Sequence, residues 1–560
     1  MRFDVLLVHA PSVYDFRHRD DIVFAYLGNS DSVHVSSIFE MPPVGVLALA
    51  QHLRRCGLRA EFFNVASRML RDPGFDVEAF FRRAPADLFG VDLHWLAHAQ
   101  GALELARRYK EIHPGAKVVV GGISASYYHE ELVRYPQVDY VLRGYDTLVP
   151  LERLAAAKGD PDALRLVPNL TWKDSGAVEV NPLSYLPNEY TASVDWGEVF
   201  GNDRQGMTPY NVVVPQAGCE YACTWCGGSR DFYRKQFGVK GSVHKSPERL
   251  RSELASIAAA SNGHTVTMID FWHEYPALFE AGTAVFEDPA IRTVHYSLHR
   301  LPTLAKGRQM AASARAIIEL SPDTHDDAIA SVNGRGAYTM DEMESFIDAL
   351  IDDVYSFELY FMIGLSGQTA ESVWQTVDYC DHVLRKYRGR RVIPFLCPML
   401  PFLDPGSVAF ENSDRFGYVL RHRTLEDHRK ALLSLHWRDR LNYETRWLDR
   451  NALVDVSYAS VRALTELKAK HGQLPGAMAG RVTTLIDDAV ALLGDVDRWQ
   501  ALQGEERAST WPQLGSKVRA YNDNQFKMVR SQQRPIDMGF SRRQWFDTED
   551  AFERVLGASG

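Results

Sequence analysis

Short apolar segments alternate with helical segments in two separate series along this chain of 560 residues. Alternation of this kind predicts an α/β fold in which parallel sheets carry helices on both faces. Ligands of such sheets bind beyond the carboxyl ends of the strands, so the segments that follow the strands are the most informative. The first series predicts a doubly wound, Rossmann-like sheet with strands at Val5–His9, Ala60–Val65, Leu88–Leu93, Lys117–Val120 and Tyr140–Leu142.

The second series lies within residues 206–400 and predicts a partial (β/α)6 barrel of the TIM type, with its chemistry at the carboxyl ends of the strands. We therefore expect a first domain at residues 1–150, a linker with a short hairpin at 151–205, the barrel at 206–400 and a mainly helical region at 401–560. The barrel strands are predicted at Asn211–Pro215, Thr265–Asp270, Thr293–Leu298, Ala316–Leu320, Glu358–Ile363 and Val392–Leu396.

Charge and composition limit the partners. Lys and Arg number 62 against 72 Asp and Glu, which gives a net charge of −10 and no electrostatic basis for nucleic acid or an anionic membrane as a partner. No apolar stretch is long enough to span a bilayer, and the first nine residues are typical of a strand, not of a secretion signal. Six cysteines in so long a chain do not suggest a disulfide framework, so we expect a reducing, cytoplasmic location.

Three cysteines, Cys219, Cys223 and Cys226, lie in one loop directly after the first predicted barrel strand. Thiolates are soft ligands suited to iron–sulfur clusters and to zinc. Three ligands leave one coordination position open, where a substrate can bind. The alternative is a structural zinc site, which would need a fourth ligand, such as His244, from elsewhere in the chain.

The C-x3-C-x-aromatic-C spacing, with Trp225 before the third cysteine, resembles the radical SAM superfamily over about residues 206–400. The resemblance implies a [4Fe–4S] cluster on the three cysteines, whose unique iron binds S-adenosylmethionine (SAM), and places Trp225 near the adenine. It also implies SAM contacts at Glu319 and Ser321 on the fourth strand and at Gly364 on the fifth.

Glu274 lies just past the second barrel strand. A carboxylate at this position could contact the SAM amino group or the open iron. The simpler interpretation of Glu274 is a solvated loop acid.

The loops of the first sheet limit the kinds of ligand that the sheet can bind. No Gly-x-Gly-x-x-Gly and no phosphate-binding GxxxxGK[ST] motif follow its strands, which disfavours dinucleotides and nucleoside triphosphates. Instead Pro42-Pro43-Val44-Gly45 opens the first helix, and Gly121-Gly122-Ile123-Ser124 follows the fourth strand. Small residues at these points let a bulky ligand approach the backbone.

These segments resemble the cobalamin-binding domain that precedes the radical SAM domain in many cobalamin-dependent methyltransferases. The Asp-x-His-x-x-Gly signature that supplies a histidine to cobalt is missing after the first strand, and Asp92-Leu93-His94 is a partial match only. We therefore predict no histidine ligand to cobalt. Arg68 is a candidate to face the lower side of the corrin, with a surface salt bridge as the alternative. The implied cobalamin contacts are Pro43, Gly45, Arg68, His94, Gly121, Gly122 and Ser124.

Together the resemblances imply a class B radical SAM methyltransferase. Its reaction would move a methyl group from SAM through methylcobalamin to an unactivated carbon or phosphorus of a small natural-product intermediate, as in antibiotic biosynthesis. Tryptophan 2-C-methyltransferases and the pyrrole methyltransferases of aminocoumarin pathways are similar kinds of enzyme. The implied partners are the substrate and a flavodoxin- or ferredoxin-type reductant. The alternatives are a cobalamin-dependent rearrangement or cyclisation without methyl transfer, and a non-catalytic zinc-binding scaffold.

Overall fold

In a computed structural model, the described residues form two large sheets, two short pairs of strands and a largely helical C-terminal region. The described residues are 2–24, 44–201, 210–260, 264–269, 271–313, 315–399 and 402–531. Within these ranges no helix is both long and apolar enough to cross a membrane. The structure thus has the α/β architecture predicted from the sequence.

The first sheet has seven strands in the order β2-β1-β3-β4-β5-β6-β7. Its first five strands pair in parallel and are apolar because helices cover both faces. Each predicted strand overlaps an observed one. The strands are β1 (Phe3–His9), β2 (Ala60–Asn64), β3 (Ala86–Asp92), β4 (Lys117–Gly121), β5 (Tyr140–Leu142), β6 (Leu170–Asp174) and β7 (Ala177–Val180).

Eight helices accompany this sheet in the described part of the chain. Helix α3 illustrates a local start signal, because the Asp76 side chain accepts the backbone N–H of Ala79. The helices are α1 (Val44–Arg55), α2 (Val65–Arg71), α3 (Val77–Arg83), α4 (Ala99–Ile112), α5 (Ile123–Tyr127), α6 (His129–Leu132), α7 (Leu148–Ala157) and α8 (Pro161–Leu164).

The hairpin predicted within the linker is a continuation of the first sheet. Strand β6 pairs antiparallel with β5, and β7 with β6. Ser175 and Gly176 form the turn with left-handed φ values of 50° and 93°, and Trp172 is buried against the sheet. Local sequence predicts the hairpin, but its pairing with β5 is a tertiary contact. The sheet therefore extends to Val180.

The second sheet has six parallel strands in the order β15-β14-β13-β12-β11-β8. All six predicted barrel strands overlap observed ones, and a short antiparallel pair, β9 and β10, lies beside the cysteine loop. The strands are β8 (Tyr210–Val213), β9 (Gln216–Gly218), β10 (Ser242–His244), β11 (His264–Ile269), β12 (Ile291–Leu298), β13 (Arg315–Asp323), β14 (Ser356–Ile363) and β15 (Val392–Pro398).

The helices around the second sheet begin with recognisable caps. Thr339 forms a capping box with Glu342 at the start of α15. The helices are α9 (Trp196–Gly201), α10 (Arg230–Phe237), α11 (Pro247–Ala260), α12 (Pro276–Phe286), α13 (Leu304–Ala312), α14 (Asp327–Val332), α15 (Met340–Leu350) and α16 (Ala370–Lys386).

The C-terminal region is helical, as predicted, but also contains a small antiparallel pair of strands. Its segment 402–445 contacts the first sheet's helices, where Tyr128 OH donates to the Arg423 carbonyl at 2.8 Å and Tyr135 OH to Glu426 at 2.5 Å. The elements are α17 (Val408–Glu411), β16 (Tyr418–Leu420), α18 (Leu425–Ala431), β17 (Tyr443–Thr445), α19 (Arg450–Lys470), α20 (Gly476–Ala501) and α21 (Gly504–Ser531).

Candidate functional site

The three cysteines lie in the loop that follows β9. Cys223 is buried, Cys219 and Cys226 are half-buried, and none is in a disulfide. The N–H of Tyr221 donates to Cys219 Sγ at 3.4 Å. The N–H of Gly228 donates to Cys226 Sγ at 3.2 Å. Amide hydrogen bonds to sulfur stabilise thiolates and tune iron–sulfur clusters, so the loop suits a metal–sulfur centre.

The three sulfurs are close enough to influence one another. Burial, followed by the charge of Asp404 and of the two other cysteines, raises the pKa of the Cys226 thiol well above its usual value. Several thiolates in a buried loop are stable only beside a positive charge. A bound metal supplies that charge and deprotonates coordinating thiols, so the donor set fits an iron–sulfur cluster.

Asp404 and Trp225 form a wall beside the loop. Asp404 accepts the N–H of Gly227 at 2.8 Å, and its own N–H donates to the Trp225 carbonyl at 3.3 Å. Burial raises the pKa of Asp404 to about 6. The Trp225 indole nitrogen is buried without a hydrogen-bond partner among the described residues. Trp225 packs with Tyr221 and the three cysteines in one small cluster.

The turn after α14 packs against another side of the cysteine loop. The N–H of Thr224 donates to the Asn333 carbonyl at 3.0 Å. Gly334 has a φ of 77° and packs so closely that a Cβ would lie 2.2 Å from the Ala222 carbonyl oxygen. The next residue, Arg335, is held by Asp323 through an ion pair of 2.7 Å. Only glycine allows this approach of two backbones, which brings the arginine to the cysteine loop.

The other predicted SAM residues are distributed around the second sheet. Glu274 forms an ion pair with Arg300 at 2.9 Å. The Arg300 guanidinium lies 5.1 Å from the ring of Tyr221, a residue of the cysteine loop. Ser321 is buried on β13. A side chain at Gly364 would lie 2.4 Å from the Tyr443 hydroxyl, so protein packing already accounts for that glycine.

Glu319 belongs to a buried polar network on the inner face of the barrel. It accepts a hydrogen bond from Ser297 at 2.8 Å and pairs with His295 at 3.1 Å. Glu358 lies 3.8 Å from the same His295 nitrogen. Although burial opposes it, Glu319 raises the pKa of His295. Barrel interiors are usually filled by branched apolar residues, so this network is an unusual feature of the site.

The carboxyl edge of the first sheet holds a cluster of histidines. His9 Nδ1 lies 2.9 Å from Asp92, at the ends of β1 and β3. The His98 ring meets the His9 ring edge-on at 4.7 Å and stacks on Trp95. Trp95 is 40% exposed, which leaves an aromatic surface open at the edge where ligands of parallel sheets bind.

The glycine pair at the end of β4 has a structural reason. Gly122 has a φ of 117°, and a Cβ there would lie 2.6 Å from the backbone nitrogen of His94. Ser124 Oγ donates to the His94 carbonyl at 3.0 Å, and the His94 side chain is exposed. Gly45 has open space instead, and a Cβ at Gly121 would make only an ordinary contact, 3.8 Å from the Leu142 carbonyl oxygen. Pro43 lies outside the described residues.

Arg68 lies on α2, at the same edge of the first sheet. It pairs with Asp72 at 3.1 Å and its guanidinium lies 5.4 Å from the Phe75 ring. The salt bridge that the sequence left as an alternative is therefore present. The Arg68 side chain is 19% exposed.

Residues 33–152 match the B12 binding domain family. Two curated proteins resemble part of the chain. An uncharacterized methyltransferase of Pyrococcus horikoshii is 26% identical over 38% of this chain. An anaerobic magnesium-protoporphyrin IX monomethyl ester cyclase of Synechocystis is 22% identical over 43% of it. The chain spans 45% and 47% of these two relatives.

Solved structures resemble nearly the whole chain. One is the radical SAM methyltransferase TsrM of Kitasatospora setae with cobalamin and a [4Fe–4S] cluster bound. Its TM-score is 0.59 at 15% sequence identity, and the match spans 93% of this chain and 99% of the TsrM chain. Another is the cobalamin-dependent SAM radical enzyme OxsB with aqua-cobalamin and SAM bound. Its TM-score is 0.52 at 13% sequence identity, and the match spans 99% of this chain and 83% of the OxsB chain. The chain therefore shares the fold of these two solved structures, which confirms the predicted architecture.

Sequence reasoning missed parts of the site that depend on tertiary contacts. It assigned no role to Arg335, Asp404 or Tyr338. The Asn333-Gly334-Arg335-Gly336 turn was a signal, because glycines on either side of a basic residue indicate a constrained backbone. Nothing local indicates that this turn packs on the cysteine loop.

Proposed function

We propose that the chain is a cobalamin-dependent radical SAM methyltransferase that acts on an unactivated carbon or phosphorus of a small natural-product intermediate. One observation carries the proposal: a three-cysteine loop, at the active edge of a parallel β/α barrel, shares one chain with a B12 binding domain. The relatives are a methyltransferase and a cyclase by description, and TsrM is a methyltransferase.

The chain's residues would divide the work between the two sheets. Cys219, Cys223 and Cys226 would hold the cluster, with Trp225 beside the adenine of SAM. Glu274 would contact the SAM amino group or the open iron, and Ser321 the cofactor from β13. The cluster would supply reductive cleavage of SAM, and cobalamin a carrier for the methyl group.

The first sheet would bind the corrin across its carboxyl edge. Arg68 would face the lower side of the cobalt in place of a histidine. The remaining corrin contacts would come from Pro43, Gly45, His94, Gly121, Gly122 and Ser124.

The setting of the enzyme follows from its chemistry. We propose a cytoplasmic location, because an iron–sulfur cluster on thiolates needs reducing surroundings. A flavodoxin- or ferredoxin-type protein would supply electrons, and no nucleic acid or membrane is needed. The product class would be an antibiotic or a related natural product. We propose domains at residues 1–150, 206–400 and 401–560, with the hairpin of the 151–205 segment attached to the first.

A cobalamin-dependent rearrangement or cyclisation without methyl transfer is the second candidate. The cyclase relative of Synechocystis favours it. Both candidates use the same cofactors, so cofactor content cannot separate them.

Labelled SAM distinguishes the two functions. The purified chain is reconstituted with iron, sulfide and cobalamin under anaerobic reduction and supplied with SAM that carries a deuterated methyl group. We expect about one cluster and one corrinoid per chain, and label in a small-molecule product. Products without label would favour the rearrangement. A chain that holds zinc and neither cluster nor corrinoid would contradict both proposals.

A further inference from the structure

Three side chains of the kinds that bind metal ions meet where helix α1 packs beside helix α7. His52 lies on α1, Cys56 directly follows the last residue of α1, and Glu152 lies on α7. One ligand atom from each residue can be chosen so that all three lie within 4.8 Å of one another. An imidazole, a thiol and a carboxylate gathered in this way form a donor set that suits zinc.

The spacing along the chain brings the first two ligands together. Residues four apart in a helix lie on the same face, one turn apart. The N–H of Cys56 continues the helix by donating to the His52 carbonyl at 3.0 Å, and Gly57 then leaves the helix with a φ of 83°. The two side chains therefore lie side by side, with Cys56 Sγ 3.7 Å from His52 Nε2.

The third ligand comes from a helix that is distant in sequence. Glu152 Oε2 lies 2.9 Å from His52 Nε2. The two helices bury their apolar faces in the same core, through Leu47 of α1 and Leu151 of α7. This packing fixes both backbones, so the carboxylate is held beside the histidine by the fold and not by local sequence.

The distances suit a tetrahedral ion. Zinc binds nitrogen and oxygen at about 2.0–2.2 Å and sulfur at about 2.3 Å, so neighbouring ligand atoms in a tetrahedral site are roughly 3.3–3.6 Å apart. The observed separations from His52 Nε2, 2.9 Å to the carboxylate and 3.7 Å to the sulfur, lie on either side of that range. Small side-chain rotations are therefore enough to complete the geometry.

Charge and access also suit a cation at this place. Burial, followed by a hydrogen bond with Glu152, raises the pKa of the Cys56 thiol, so the thiol keeps its proton until a metal displaces it. A thiolate and a carboxylate then balance the two charges of zinc. The side chains of His52 and Glu152 are 20% and 40% exposed and Cys56 is exposed, which leaves an entry path and a position for water as the fourth ligand.

The three residues lie far from the edge at which the first sheet binds its ligand. A helix that connects parallel strands runs antiparallel to them, so the end of α1 lies at the amino edge of the sheet, where β2 begins at Ala60. Ligands of such sheets bind at the carboxyl edge. An ion held by His52, Cys56 and Glu152 would therefore be structural and would take no part in the reaction.

We propose that His52, Cys56 and Glu152 bind one zinc ion that joins α1 to α7. All three residues lie within the segment that matches the B12 binding domain family, so the ion would stabilise this domain. The site does not depend on the proposed function, because none of its ligands belongs to the cluster or to the corrin contacts.

Zinc titration of the full chain, with its cluster and cobalamin loaded, tests the site. Loading comes first because the cysteine loop would otherwise compete for zinc. We expect one zinc equivalent per chain after dialysis. X-ray absorption at the zinc edge should show one sulfur at about 2.3 Å and nitrogen or oxygen ligands at about 2.0–2.2 Å. Three sulfurs would identify zinc in the cysteine loop and overturn the site, and this distinction holds even if the cluster cannot be loaded.

Single substitutions identify the ligands. We expect Cys56→Ser, His52→Gln and Glu152→Gln each to weaken zinc binding at least about tenfold, because even the loss of groups that only orient a ligand costs about that much. His382→Gln is the matched control. His382 of α16 pairs with Glu344 of α15 at 3.3 Å, but no third ligand joins this pair in the part of the chain that the structure describes.

Thermal unfolding provides a second measurement. A ligand that binds only the folded state raises its stability, so zinc should raise the unfolding temperature of the unmodified chain and of His382→Gln, and should not raise that of Cys56→Ser. No zinc uptake by the unmodified chain, or equal uptake by all variants, would overturn the site. Neither result bears on the proposed function, which is decided by cluster, corrinoid and labelled product.

Discussion

The carboxyl edges of the two sheets differ in how far their polar groups are satisfied by the protein. At the first edge, His9 pairs with Asp92 at 2.9 Å and Ser124 bonds to the backbone of His94. At the second edge, Arg335 Nη1 and the Tyr338 hydroxyl are buried without a partner in the described part of the chain.

The difference indicates two kinds of binding. The first edge is largely a finished surface, where the Ser12 hydroxyl is buried without a partner among the described residues. It also carries an exposed aromatic ring, Trp95, on which a large flat ligand can rest. The second edge contains groups that only a ligand completes, so its stability depends on being loaded. Changes at the second edge should therefore remove its ligands without disturbing the first.

Replacement of the cysteines is the strongest test of this independence. We expect the triple Cys219→Ala, Cys223→Ala, Cys226→Ala variant to lose essentially all cluster iron and all turnover, because the thiolates are the ligands. Cobalamin retention should stay at the level of the unmodified chain. Iron, sulfide and corrinoid are quantified after anaerobic reconstitution, with Cys380→Ala as the control. Loss of cobalamin together with iron would show that the two edges form one site.

Substitution of the glycines at the first edge tests how far that edge is packed by the protein itself. An alanine at position 122 would have to adopt a φ of 117°, and its Cβ would lie 2.6 Å from the backbone nitrogen of His94. Because both the backbone strain and the clash are costly, we expect Gly122→Ala to lower the free energy of unfolding by about 4 kcal/mol. Gly45→Ala enters open space and should leave stability unchanged or slightly higher. Urea unfolding of both variants measures the difference.

Cobalamin affinity distinguishes packing from ligand contact at these glycines. If the corrin approaches Gly45, the Gly45→Ala variant should bind cobalamin less tightly while it unfolds normally. Normal cobalamin binding in this variant would contradict the assignment of Gly45 to the corrin site.

The features that the sequence predicts correctly are those that depend on local sequence, whereas features that depend on tertiary contacts are not predicted. Every strand of the two parallel series overlaps its predicted position, because strand and helix periods are local properties. The cysteine loop was found because its spacing is itself the signal.

What the sequence could not provide depends on contacts between distant segments. The β6–β7 hairpin joins the first sheet through β5, and Arg335 reaches the cysteine loop through the packing of Gly334 on Ala222. Gly364, predicted to contact SAM, also lies so close to Tyr443 that a Cβ would be 2.4 Å from its hydroxyl. Such pairings connect residues far apart in the chain and leave no periodic pattern.

The junction between segment 402–445 and the first sheet gives a pH-dependent prediction. His428 Nδ1 donates to the Thr424 carbonyl at 2.7 Å, its Nε2 accepts from Asn442 at 3.0 Å, and Tyr128 lies 3.4 Å away. This arrangement needs a neutral ring. Burial lowers the pKa of His428 to about 4, and the charges of His422 and Asp427 oppose each other with smaller effects.

Since the unfolded chain protonates this histidine near pH 6.5, the folded chain loses stability as the pH falls from about 6.5 to 4. The expected loss is about 3 kcal/mol in the free energy of unfolding. His428→Gln should be less stable at pH 7 but should lack this part of the pH dependence, whereas the exposed His18→Gln should retain it. Parallel pH profiles for the unmodified chain and His428→Gln would contradict the neutral-ring assignment.

Trp95 provides the smallest and most specific test of the first edge as a finished surface. The ring is 40% exposed and stacks on His98 at 6.2 Å, so Trp95→Ala removes little buried area and should change the free energy of unfolding by less than about 1 kcal/mol. If the ring supports a bound corrin or substrate, the variant should lose about 0.5–1.5 kcal/mol of binding free energy, a few-fold in affinity. Cobalamin dissociation constants from equilibrium dialysis measure this, with Trp374→Ala, an equally exposed tryptophan on α16, as the control. A variant that binds cobalamin and substrate normally would show that the open aromatic surface is not part of the site, and the contrast between the two edges would then rest on the His9–Asp92 pair alone.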